Sequence, residues 1–138
     1  MVIHGKINKR YRKAMHFFAS KLFTPQMLRH IEVSVLFTKK IDDSLTGEVA
    51  VDDYNVLGAP REFTIVVKKG MSDEETLKTL SHELVHVRQY ARQELNEECT
   101  RWRGRRVNSD EVNYYDLPWE QEAFTIGDQL YEEFINAA

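Results

Sequence analysis

His82, Glu83 and His86, within "LKTLSHELVHVRQYAR" (77–92), form a His-Glu-x-x-His pentapeptide whose residue types and spacing suit metal chemistry. Residues four apart on a helix lie on one face, one turn from each other, so two imidazoles could hold a single ion. Glu83 projects at an adjacent angle, where it can reach a water molecule polarised by the ion without being a ligand itself. Zinc suits such a pair, because it is a Lewis acid that brings the pKa of water toward neutrality, and a nearby glutamate can then take the proton. The chain has one cysteine, Cys99, which excludes a thiolate-rich structural zinc site. Any metal must therefore be held mainly by imidazole and carboxylate.

A catalytic zinc site needs a third protein ligand. The other histidines, His4, His16 and His30, all precede the motif. Cys99 is a conceivable donor near the end of the same helix, but a better source is the C-terminal stretch, with Glu120 and Glu122. At about 100° per residue, Trp119, Ala123, Phe124, Leu130, Tyr131, Phe134 and Ile135 share one arc of a helical wheel, and Glu120 falls inside it. Glu122 falls with Gln121, Thr125, Asp128, Gln129, Glu132 and Glu133 on the polar side. A buried carboxylate must be paired or bound to metal. Glu120 is the expected ligand, with Glu122 as the alternative; a salt-bridged Glu120 in a first helical turn is the structural reading of the same pattern.

The elements that must position these groups are legible in outline. Ile7, Tyr11, Ala14, Met15, Phe18 and Leu22 recur at helical spacing, opposite Lys9, Arg10, Arg12 and Lys13. Pro25 marks a break, with room for a short turn at 26–29. Period-two alternation then predicts strands over 31–37, 47–54 and 62–68, read as a small three-stranded antiparallel sheet with one buried face. Ser72 and Glu75 fit a capping box that opens the motif helix, whose stripe is Leu77, Leu80, Leu84, Val87 and Ala91. Gln89 and Gln93 read as its polar face. The segment "RWRGRR" (101–106) reads as a hairpin around Gly104, and Asp116 and Pro118 suit the start of a last helix. The order predicts an α+β fold: N-terminal helix, sheet, motif helix, ligand helix.

At 138 residues, with no repeat or linker, the chain reads as one domain, 1–138. No apolar run is long enough to span a bilayer, and the start shows no secretion leader. A lone cysteine suits a reducing compartment, so a cytoplasmic protein is expected. The net charge of −3 is uneven: residues 1–40 carry nine Lys or Arg and one acid, and the remainder carries ten bases and twenty-one acids. Either the two parts attract each other across the fold, or the basic helix and Arg101–Arg106 form a surface for an acidic partner or nucleic acid.

His82-Glu83-Leu84-Val85-His86, followed by Glu120-Gln121-Glu122-Ala123, resembles the gluzincin pattern, in which a Glu with Ala three residues on supplies the third ligand. The small size and the sheet ahead of the motif resemble the compact minigluzincins. The strings "HELVHVRQYA" and "LPWEQEAF" are similar to small metallopeptidases met in phage genomes, which implies expression in a host cell. The resemblance spans residues 62–134. It implies a zincin-like fold, a peptide or protein substrate, zinc on His82, His86 and Glu120, and Glu83 as general base. One departure stands out: Phe124 occupies the place where many gluzincins carry an Asp that orients a motif histidine, so orientation must come from elsewhere. Tyr114 and Tyr115, just ahead of the ligand helix, are candidates to steady an oxyanion, or else aromatic packing. The competing expectation is a binding module with a structural, non-catalytic zinc, in which the arginines around Trp102 hold phosphates.

Overall fold

The computed structural model describes residues 1–137. Strand β1 (Val2–His4) leads to helix α1 (Lys9–Leu22), a one-turn helix α2 (Pro25–Leu28), and strands β2 (Glu32–Thr38), β3 (Gly47–Tyr54) and β4 (Pro60–Lys68). The motif helix α3 (Asp73–Ala91) follows, then a two-residue-stranded hairpin, β5 (Arg101–Trp102) and β6 (Arg105–Arg106). A 3-10 turn at Tyr114–Asp116 precedes helix α4 (Pro118–Asn136). The α+β class is as expected.

The sheet differs from the expected three antiparallel strands. It has four strands in the order β1-β2-β4-β3; β2 runs parallel to both β1 and β4, and only β3 is antiparallel, to β4. The parallel pair β1/β2 is joined through α1, the crossover that parallel strands need. The chain then skips a position to lay β3 on the far edge, and β4 returns between β2 and β3. Alternation governs which residues face inward. Val33, Val35, Phe63, Ile65 and Val67 are buried, and Leu36 on the opposite face is exposed.

Helix α3 packs on β3 and β4, and α1 and α4 pack on α3. Phe18, Met15, Leu77, Leu80, Leu84 and Val85 fill the interior between these layers. Ser72 caps α3 by accepting from the Glu75 N–H at 3.1 Å, a contact type worth about 1 kcal/mol. Asp116 does not cap α4: it lies inside the 3-10 turn, whose own cap is Asn113, while the N-cap of α4 is Leu117, with no side-chain cap, followed by Pro118 in the first turn. Among the described residues, Arg10–Asp73 is the ion pair that joins the basic first forty residues to the acidic remainder.

A candidate metal centre between the motif helix and the last helix

Two close approaches set the geometry of the site. Gly127 of α4 sits where a Cβ would lie 3.1 Å from the His82 Cα, so the two helix backbones nearly touch there. A mid-helix glycine weakens a helix by about 1 kcal/mol relative to alanine, and here it permits that approach. The Ser81 hydroxyl donates to the Gly127 carbonyl at 2.9 Å in the same buried contact. Seven residues before Gly127, two turns along α4, Glu120 is thereby brought over the motif face. On the other side, Gly47 begins β3 where a Cβ would meet Thr79 Cγ2 at 2.6 Å and Glu83 Cγ at 3.2 Å. The sheet edge and the motif helix therefore enclose Glu83.

His82, His86 and Glu120 converge on one point. The His82 and His86 Nε2 atoms lie 3.0 and 3.1 Å from Glu120 Oε1 and 3.2 Å from each other. Zinc–nitrogen and zinc–oxygen bonds of about 2.0–2.1 Å in a tetrahedron place ligand atoms about 3.3 Å apart, so this triangle is within a few tenths of an ångström of that spacing. The three residues are a buried group that could hold a metal ion. The wheel placed Glu120 on the buried side, and it is 6% exposed. Cys99 is not part of the group; its thiol lies 3.5 Å from the Tyr90 hydroxyl.

The electrostatics are those of a site that gathers positive charge. Burial alone would lower His86, but the hydrogen bond and charge of Glu120 and the charge of Glu83 outweigh it and push its pKa up to about 9. Burial alone would raise Glu120, but hydrogen bonds to His82 and His86 bring it down to about 2. Glu83 goes the other way. It is 4% exposed, its Oε2 has no hydrogen-bond partner, and burial raises its pKa despite the histidines nearby.

A cleft opens on both sides of the triad. On the His86 side it is lined by Leu45, Gly47, Val49, Glu83, Tyr114 and Trp119 among others, with a volume of about 160 Å³. On the His82 side, Thr46, Glu83, Tyr114, Tyr115 and Phe124 border about 280 Å³. Tyr114 lines both parts, and burial together with the Glu120 charge raises its pKa, so it keeps its proton. Tyr115 is more exposed and packs against Phe124, its rings 5.7 Å apart. Phe124 in turn packs against His82, with the two ring centroids 4.4 Å apart.

Several residues depart from the sequence reading: Phe124 and Ile135, set in the apolar arc of the last helix, are exposed, and Gln89 and Glu122 are not on open polar faces. Gln89, read as solvated, is fully buried and stands 2.7 Å from His86 Nδ1. Glu122, assigned to the polar side of α4, is half-buried and takes no place in the triad; its Oε1 accepts from Gln89 at 3.2 Å. Helix α4 covers a face of α3 that helical periodicity alone left open. In the 101–106 hairpin, Arg103 bonds Glu94 and Glu122 and stacks 4.6 Å over Trp102, so this arginine and this ring are already engaged within the fold. No described helix is long and apolar enough to cross a membrane. Compared with known proteins, the chain matches no family model, no curated protein and no solved structure.

Proposed function

We propose that the protein is a zinc metallopeptidase that hydrolyses peptide bonds in extended segments, with His82, His86 and Glu120 as metal ligands and Glu83 as general base. The observation that carries this reading is a buried carboxylate without a partner, Glu83 Oε2, beside three converging ligand atoms. A structural metal site has no use for such a group, and burying an unpaired polar atom costs stability. The donor set of two imidazoles and one carboxylate fits zinc. When bound, zinc supplies Lewis acidity, lowering the pKa of water and polarising a carbonyl.

The chain's own residues supply the remaining chemistry. Glu83, whose pKa is raised by burial, takes a proton from the attacking water and returns it to the departing amine. Tyr114 keeps its O–H and donates it to the carbonyl oxygen as charge develops there. Strand β3 is a sheet edge, and its Gly47, Glu48 and Val49 border the cleft, so an extended substrate can add to it through backbone hydrogen bonds. The lone cysteine agrees with action in a reducing cytoplasm.

Metal analysis of protein purified without added zinc tests this reading. About one zinc per chain is expected, as three protein ligands and an open position require. The His82→Ala/His86→Ala double variant should lose it. Full zinc retention by that variant would contradict the assignment.

A further inference from the structure

Gln89 has one acceptor and two donor hydrogens on its side chain, and the structure engages both ends. Its Nε2 donates to the Trp119 carbonyl at 3.0 Å and to Glu122 Oε1 at 3.2 Å. The reversed amide would aim its oxygen at a carbonyl and a carboxylate, two acceptors, so this network fixes Oε1 toward His86. Oε1 then accepts from His86 Nδ1 at 2.7 Å. An imidazole that donates from Nδ1 presents the lone pair of Nε2, the atom that faces His82 and Glu120.

Glu122 is held in turn from the hairpin. Its Oε2 accepts from Arg103 Nη2 at 2.6 Å, and Arg88 Nη2 stands 3.6 Å from Oε1. Arg103 also donates from Nε to Glu94 Oε2 at 3.2 Å, so one guanidinium spans two carboxylates, a use that suits its planar fork and not a lysine ammonium. The backbone is shaped for this. Arg103 has φ +50° and Gly104 φ +83°, and the Arg103 N–H donates to the Glu94 carbonyl at 2.7 Å. A non-glycine residue in the left-handed region is disfavoured, and here it carries the side chain that reaches α4.

We propose that the β5–β6 hairpin belongs to the metal centre: Arg103, acting through Glu122 and Gln89, holds the His86 imidazole in the tautomer and orientation that present Nε2 to the ion. This rests on the metal-binding reading of His82, His86 and Glu120. Gln89, Glu122 and Arg103 are positioning residues, and none of them is among the three converging side chains.

The test is cobalt(II) affinity by chelator competition, with the visible cobalt spectrum, in wild type, Arg103→Met, Gln89→Leu and the double variant. Arg103→Met keeps an unbranched side chain of similar reach and removes the fork, along with its stacking over Trp102. It should weaken cobalt binding about tenfold and shift the visible bands, in line with the roughly 10–100-fold cost of losing a group that orients a ligand. Gln89→Leu should weaken binding at least as much, and in its background Arg103→Met should add less than about twofold, since the pathway is already broken. If Arg103→Met does not fold, Glu122→Gln takes its place in the same cycle. An Arg103→Met protein with wild-type affinity and spectrum would overturn the proposal, as would an equal loss in both backgrounds. The two readings fail differently. Wild type that binds no cobalt, or binds it equally well as His82→Ala, refutes the metal centre and the proposal together. A wild type that loads, alongside an Arg103→Met that loads identically, refutes the proposal alone.

Discussion

At the scale of single residues, the two carboxylates of α4 divide the work by position. Glu120 contributes the oxygen that both Nε2 atoms face, and Glu122 holds Gln89. Glu120→Gln should therefore lower zinc affinity by several orders of magnitude, and Glu122→Gln only by about tenfold; chelator competition on the two variants checks the ranking, and the reverse order would exchange their roles. Tyr114→Phe should leave zinc bound and KM nearly unchanged while reducing kcat by about a hundredfold, the scale of a lost oxyanion donor. A proportionate rise in KM at constant kcat would make Tyr114 a substrate-packing residue. The convergence of His82, His86 and Glu120 was legible in the sequence because its logic is local: two histidines one turn apart, and one carboxylate inside an apolar arc. Gln89 was not legible. It lies three residues beyond His86, and only the covering of that face by α4 turns a polar helix position into a buried one with defined partners.

At the scale of elements, the site exists because α4 crosses α3 with almost no gap between backbones. A Cβ at position 127 would sit 3.1 and 3.2 Å from His82 main-chain atoms, which cannot move aside as a flexible side chain could. Gly127→Val should therefore push α4 outward, destabilising the fold by about 1–3 kcal/mol and displacing Glu120 enough to lower zinc affinity. Thermal unfolding and chelator competition on this variant check both effects; wild-type values in both would show that the crossing is not what positions Glu120. The three longer strands could be read from alternation, but their order could not. Alternation reports which face of a strand is buried and is the same for a parallel neighbour or an antiparallel one, so β2's parallel pairing with β4 had no signature. Strand β1 has only three residues, too few for a periodic pattern.

At the scale of the whole molecule, metal and fold should be coupled. Glu83, His86 and Glu120 are all less than a tenth exposed, and their charges are compatible with the interior only in one another's company or around a cation. Removing zinc should lower the melting temperature, by on the order of 10 °C for a site loaded at about a thousand times its Kd, and restoring zinc should reverse it. A melting curve indifferent to chelator would separate the site from the fold. Among the described residues, Arg10–Asp73 is the ion pair that the basic side of α1 makes with the acidic remainder, and sequence counting could not distinguish this from a broader attraction across the fold. Hydrolysis with Glu83 as the base is tested by the turnover of zinc-loaded Glu83→Gln beside wild type on an unfolded protein substrate. The substitution preserves every proposed ligand and nearly the same volume. The variant should keep about one zinc per chain and the wild-type melting behaviour, and lose about a hundredfold to ten-thousandfold in rate. A zinc-loaded Glu83→Gln protein that turns over substrate at the wild-type rate would contradict the account.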